Sequence, residues 1–440
     1  MKSSYFNLLF QYNKEGDCLL YNTIESSLIK IEKRKVAKTK ELLKYGTSND
    51  QLAVELFTRL GYLIPNRKDE LCELSIRNLN ARYNNRKLLI TVLPTFACNL
   101  KCIYCFEGTL KKYIDMNKCV QNKIFELVKA LAPYNDKVHV AWFGGEPLLR
   151  FDIVSSLSKK LIELCKKENV EYSSNLVTNG TLLSKDIVKE LIKYKFNHIQ
   201  VTIDGDKDIH NERRPFNKNM RSFQPIFKNL QLLLTMVKND NNFKITLRTN
   251  IDKNNVEHII PILKKLKSID LHDKLKIKIS KVTETPAYNL PCLKTTHFVK
   301  HKLELLDQIN DLGFKNNSVS LPKQIQVGCS AEISTSFVIG PTGELYKCTR
   351  DVGIQANIIG NIKDFDIKLG VGEKNPEYCY KYLLFDATKN KKCKNCKLLP
   401  ICFGGCAKKR IDNNGIPVCD EIKYSLKKIL QKYAKEKLGA

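Results

Sequence analysis

Three cysteines, Cys98, Cys102 and Cys105, are spaced for joint ligation, with three and two residues between them in Thr95-Phe96-Ala97-Cys98-Asn99-Leu100-Lys101-Cys102-Ile103-Tyr104-Cys105-Phe106-Glu107. On one tight loop, three thiolates reach a single cubane iron–sulfur cluster. A cubane has four irons, so one is left for an external donor. A second array lies toward the C-terminus. Cys329 is followed by Gly343 and Cys348, and then by Cys393, Cys396, Cys402, Cys406 and Cys419. The paired CxxC spacings suit tetrahedral zinc as well as iron–sulfur clusters, and only the upstream loop tips the balance toward iron. Cys18, Cys72, Cys119 and Cys165 lie singly in apolar or amphipathic stretches and read as small hydrophobes.

Other short segments fall at intervals after that first loop: Trp142-Phe143-Gly144-Gly145-Glu146-Pro147, Val177-Thr178-Asn179-Gly180-Thr181, and Thr202-Ile203-Asp204-Gly205 followed by His210 through Arg214. Together with the cysteine loop they resemble the radical S-adenosylmethionine (SAM) superfamily. The resemblance implies that Cys98, Cys102 and Cys105 hold a catalytic 4Fe–4S cluster whose open iron takes the amino and carboxylate groups of SAM. It implies that Gly144, Gly145 and Glu146 meet the SAM ammonium group and that Thr178 and Asn179 lie near the ribose. Thr202 stands where the family has serine, at the SAM carboxylate, with Asp204 and Arg214 alongside. Tyr104, inside the loop, joins the cofactor-binding set. In this family the reduced cluster gives one electron to the sulfonium, breaking the C5′–S bond. Methionine and a 5′-deoxyadenosyl radical result, and the radical takes a hydrogen atom from substrate.

The second array resembles the SPASM extension of such enzymes. That implies two auxiliary 4Fe–4S clusters, making three in all. Cys393, Cys396, Cys402 and Cys419 would bind the distal one, and Cys329, Cys348 and Cys406 the nearer one. Two departures from the sulfatase-maturing members stand out. The stretch LPKQIQVGC has no cysteine ahead of Cys329, so Cys292, Cys379 or a substrate thiolate is needed to complete the nearer cluster. The aspartate that serves those enzymes as a base directly after the second SPASM cysteine is replaced by Thr349, with Asp351 close by.

These residues need elements to hold them. Over residues 88–283, strand patterns (KLLITVLP, KVHVAWF, EYSSNLVT, HIQVTID, FKITLRTN, LKIKISKV) alternate with amphipathic helices near 117–133, 151–168, 184–195, 222–240 and 254–268. Another helix follows near 297–313. Near-continuous apolar strands between helices predict a parallel α/β sheet with right-handed crossovers, as a partial (β/α)6 barrel or a doubly wound sheet. In both, chemistry belongs on the loops after the strands. Residues 1–86, with two strand-like runs, helices near 33–43 and 49–60 and a charged helical stretch, suggest a winged-helix-like peptide-recognition module. Residues 87–315 make the barrel and 316–440 a cysteine-rich SPASM domain. The last is too poor in apolar residues for a core of its own and should depend on metal sites.

The chain has 440 residues, 16 cysteines and a formal charge of +28. No apolar run reaches the 18 or so residues of a membrane span. The apolar patch at the N-terminus is not followed by a cleavage site. A cytoplasmic protein is expected, with its cysteines serving metal or redox chemistry. Lysines are spread along the chain with no basic stripe interleaved with aromatics, which argues against nucleic acid. The expected partners are a precursor peptide or protein substrate and a flavodoxin- or ferredoxin-type electron donor. The function expected is peptide maturation by thioether or other crosslinking. Formylglycine formation and a non-enzymatic metal-bound scaffold are the alternatives.

Overall fold

The computed structural model describes residues 1–84, 86–108, 113–216, 220–268, 274–283, 291–314, 317, 319–364 and 374–438. The boundary expected at 315–316 lies outside them. The chain forms two compact units: Met1–Asn84 with Val319–Ile333 and Lys381–Ala440, and Asn85–Ser318 with Ser334–Tyr380. The first begins with strands β1 (Lys2–Ser3), β2 (Asn7–Gln11), β3 (Cys18–Asn22), β4 (Leu28–Ile31) and β5 (Leu63–Ile64). Among them come helices α1 (Lys33–Tyr45) and α2 (Gln51–Arg59), and α3 (Glu70–Tyr83) follows. Strands β2, β3 and β4 form an antiparallel sheet, and β1 pairs with β5. Asp50 and Asp69 start α2 and α3 by accepting from backbone amides of the first turn.

The second unit alternates strand and helix as the sequence predicts. Its elements are β6 (Lys87–Val92), α4 (Lys118–Leu131), β7 (Lys137–Trp142), α5 (Phe151–Lys167), β8 (Glu171–Thr178), α6 (Lys185–Lys193) and β9 (Phe196–Thr202). They continue with α7 (Lys207–Arg213), α8 (Phe223–Met236), β10 (Lys244–Ile251), α9 (Ile259–Lys267), β11 (Leu275–Lys281) and α10 (Thr295–Asp311). Strands β6 to β11 are parallel and lie in sequence order. With right-handed crossovers, a monotone order puts every helix on one face, which curls the sheet into a partial barrel; a doubly wound sheet requires a reversal. Helix α7 is too short for a periodic signal. Strands β12 (Ser336–Ile339), β13 (Glu344–Tyr346) and β14 (Gly360–Asn361) continue the same sheet, β12 running parallel to β6.

The barrel strands differ from the expected apolar runs. On β7, Val138, Val140 and Trp142 are fully buried, while His139 and Ala141 alternate with them on the concave face. The helix-covered face carries the core, and the concave face is polar.

Helix α11 (Pro376–Leu383) crosses the division between the units, and α12 (Leu399–Cys402), α13 (Ala407–Asp412) and α14 (Ile422–Lys437) belong to the first. Every residue of β3 is buried. Cys18 and Leu20 face Leu42, Phe57 and Tyr62, while Leu19 and Tyr21 on the other side meet Ile401, Leu426, Leu430 and Ala434. This corrects the expectation of a C-terminal region held only by metal. Its apolar partners come from the far end of the chain, at a sequence distance that periodicity does not read. Arg82 of α3 reinforces the join by donating to the carbonyls of Glu332, Tyr382, Leu383 and Phe385. Leu430→Ala should lower unfolding free energy by about 2–5 kcal/mol in chemical denaturation, while Lys428→Ala on the exposed face of the same helix should change it by less than about 0.5 kcal/mol.

Candidate functional site

The first cysteine loop leaves β6 and is seated against the loop after β7. The Glu146 amide donates to the Ala97 carbonyl at 2.8 Å. A Cβ on Gly145 would stand 2.1 Å from that same carbonyl oxygen, so only glycine allows the approach. Gly144, at φ +85°, lies against Leu93, where a Cβ would come within 2.5 Å of its Cγ. Both glycines thus serve loop-to-loop contact, a role their motif does not announce. On the other side, Lys101 and Ile103 donate backbone hydrogen bonds to Pro215 and Arg213.

Glu146 is fully buried, and its carboxylate accepts from Leu148 N (3.0 Å), Thr178 Oγ1 (2.8 Å) and Asn179 N (2.7 Å). Burial pushes its carboxyl above the usual range, and those hydrogen bonds oppose the shift. The residue therefore fastens the β7 loop to the end of β8, and it does not line the cavity described below. Asn179 in turn donates to Asn99 Oδ1 at 2.8 Å and points Nδ2 at Cys98 Sγ, 3.9 Å away.

Tyr104 is the centre of a third set of contacts. Its hydroxyl donates to Asp204 Oδ2 and accepts from Arg214 Nη1 (2.6 Å) and Asn250 Nδ2 (3.1 Å). Burial drives the phenol well above its ordinary value, with Arg214 opposing and Asp204 reinforcing the shift. Asp204 also accepts from Asn250 N at 2.8 Å, is fully buried and lies outside the cavity lining. The Arg213 guanidinium sits 5.2 Å over the Tyr104 ring and pairs with buried Asp252 at 2.7 Å.

These loops enclose a cavity of about 200 Å³ at the C-terminal ends of the strands. Of the residues expected from sequence, Cys98, Cys102, Tyr104, Cys105, Gly144, Gly145, Thr178, Asn179, Thr202 and Arg214 line it. The residues fit a cluster with one open iron. Three thiols face one cavity, Cys98 Sγ receives a backbone amide from Leu100 at 3.5 Å, and the Arg214 guanidinium offsets charge at Cys102. Sequence reasoning passed over Gln200, the adjacent Phe106 and Phe143 rings (stacked at 6.3 Å) and Lys281. Arg248 and Asn250, which belong to no motif, also line the cavity. Their signal was positional, at concave sites near the ends of β9 and β10.

In the first unit, Cys393, Cys396, Cys402 and Cys419 line one small cavity with Leu399, Gly404 and Val418. Burial, then Cys402, Cys396 and Cys419 in turn, push the Cys393 thiol up to about 11. Such thiols ionise together only when a cationic centre binds them. Among the described residues no group of three or more Cys, His, Asp or Glu is spaced to hold a single metal ion. Cys329 and Cys406 are electrostatic neighbours in the same unit. Cys348 follows β13 in the barrel unit, where Cys379 is buried in α11.

A parallel partial barrel with a three-cysteine cavity at its strand ends defines a class, the radical SAM enzymes. Residues 92–266 match the model of the Radical SAM superfamily, so this stretch of the chain is a Radical SAM domain. The chain is 26% identical over 334 residues, 71% of this chain and 86% of the relative, to a cysteine-type anaerobic sulfatase-maturating enzyme of Clostridium perfringens. The solved structure of anSMEcpe with bound AdoMet and the Cp18Cys peptide covers 80% of this chain and 98% of its own at 25% identity, with a TM-score of 0.59. Streptococcus suis SuiB shares the fold at 18% identity, covering 94% of this chain and 97% of its own with a TM-score of 0.53. No helix among the described residues is long and apolar enough to cross a membrane.

The close approach at Gly145 makes a direct prediction. Gly145→Ala should displace the cysteine loop, so that the reconstituted protein loses about four irons relative to wild type. Iron quantitation against the wild type checks this, and full retention of iron would show that the loop tolerates the shift.

Proposed function

We propose that this radical SAM enzyme is a peptide maturase that removes hydrogen from a residue of a precursor peptide and closes a thioether or other crosslink. The single observation that carries the reading is the shared cavity, where Cys98, Cys102 and Cys105 face Thr178, Asn179, Thr202 and Arg214. With a 4Fe–4S cluster and SAM bound, that cavity would supply a 5′-deoxyadenosyl radical. The chain's own residues then have distinct duties. The Gly144–Gly145 backbone and Thr202 would hold the methionyl end of SAM. Glu146 and Asp204 act from behind, by fixing Thr178, Asn179 and Tyr104. The Phe106–Phe143 stack gives the cavity an apolar wall.

Two auxiliary 4Fe–4S clusters complete the proposal, one on Cys393, Cys396, Cys402 and Cys419, the other on Cys329, Cys348 and Cys406. A flavodoxin- or ferredoxin-type protein would supply electrons. The winged-helix-like reading of residues 1–86 as a leader-peptide module belongs to the same proposal. That segment shares its core with α14, so its removal would strip apolar cover from Leu426 and Leu430 and is a poor test.

Formylglycine formation is a second reading, favoured by the name of the Clostridium relative. Against it, Thr349 stands at the position of the base, and Asp351 is fully buried. Asp351 accepts from Asn357 Nδ2 at 2.9 Å and Tyr378 Oη at 2.8 Å. A carboxylate so engaged is poorly placed to take a substrate proton.

Mass spectrometry of a Cys-containing precursor peptide co-expressed with the enzyme separates the two. Crosslinking predicts loss of two hydrogen atoms and a thiol no longer open to alkylation. Exchange of sulfur for oxygen together with loss of two hydrogen atoms would support formylglycine, and an unmodified peptide would count against both. Replacing Cys98, Cys102 and Cys105 together by Ala should remove about four irons and end 5′-deoxyadenosine production under dithionite; continued production would refute the catalytic assignment.

A further inference from the structure

We propose that the concave face of β9, β10 and β11 binds an acidic stretch of the peptide substrate and leads it toward the three-cysteine cavity. This rests on the peptide-modifying reading above and adds the chemistry of the substrate to it.

The concave positions follow from register. Lys244 lies opposite His198, Thr246 opposite Lys276, and Arg248 opposite Lys278. Like charges directly opposite one another on adjacent strands destabilise a sheet, yet here Arg248 and Lys278 are paired so. Among the residues of β6 to β11 the one acid is Glu171, at the first position of β8, and it is already bonded to Lys137 at 2.6 Å. Asp204, just beyond β9, is engaged by Tyr104, Asn250 and Arg214. Among the described residues of these strands, the concave face therefore holds more cations than carboxylates.

It also holds room. A cavity of about 930 Å³ at the N-terminal end of the strands is lined by His139, His198, Lys244, Thr246, Lys274 and Lys276. Two residues further along the same strands, Gln200 and Arg248 line the three-cysteine cavity. The two spaces thus share one strip of sheet. Burial, then repulsion from Arg248, Lys276 and Lys302 in turn, holds Lys278 below its ordinary value, so an anion at this strip relieves a cost already present.

A neutral or basic ligand gains nothing here, whereas an extended peptide with acidic residues at alternate positions matches the strip. Such side chains recur about every 7 Å on one face, as do Lys276 and Lys278. β11 is the terminal strand of the sheet, and Lys276 and Lys278 on it are exposed.

The test uses the reconstituted chain and two fluorescein-labelled peptides, one alternating Glu with Ser and the other Lys with Ser, read by anisotropy. Wild type should bind the Glu peptide at least about tenfold more tightly, with the preference shrinking as salt rises. Lys276→Glu with Lys278→Glu should reverse the preference toward the Lys peptide, a gain that a misfolded variant does not show. The milder pair Lys276→Gln with Lys278→Gln should bind the two peptides alike. A wild type without preference, a charge-reversed variant that keeps it, or binding of inorganic triphosphate with neither peptide bound overturns the proposal. Because binding is read without turnover, failure here leaves the mass-spectrometric test of peptide modification standing, and the reverse also holds.

Discussion

The candidate site depends on how closely the backbone at Gly145 approaches the Ala97 carbonyl. That approach seats the cysteine loop on the loop after β7, and any side chain at 145 would prevent it. From there the fastening passes through a buried carboxylate. Glu146 holds Thr178 and Asn179 at the end of β8, and Asn179 returns to Asn99 beside Cys98. Tyr104 performs the matching task on the other side, joining the loop to Asp204, Arg214 and Asn250. The cysteine loop is held by contacts to four other strand ends, those of β7, β8, β9 and β10, so it comes preorganised for a ligand with a fixed shape.

Much of this was legible in the sequence because the signals were local. The strand–helix beat gave all six barrel strands, and the cysteine spacing marked the loop that later proved to lie at their C-terminal ends. What local signals could not give was direction. Glu146 and Asp204 lie within cofactor motifs, yet their carboxylates turn into the protein and brace neighbours. Arg248 and Asn250 carry no motif, yet they face the cavity because they share the concave parity of β10. The C-terminal region looked too poor in apolar residues for a core because the complement, Leu19 and Tyr21 of β3, lies some 400 residues earlier in the chain.

The polar lining of the barrel has the same origin. In a closed barrel the interior is filled by apolar layers. This sheet ends at β11, and its concave face accommodates His139, His198 and a row of lysines. The overall charge of +28 is spread along the sequence without a pattern, and only strand register shows that part of it converges on the face that leads to the cysteines.

The most direct measurement of the central claim, that the loop of Cys98, Cys102 and Cys105 presents a cluster with one iron open to SAM, is electron paramagnetic resonance of the dithionite-reduced, reconstituted protein with and without SAM. The account predicts that SAM changes the signal of the cluster on that loop. A spectrum unchanged by saturating SAM would contradict it.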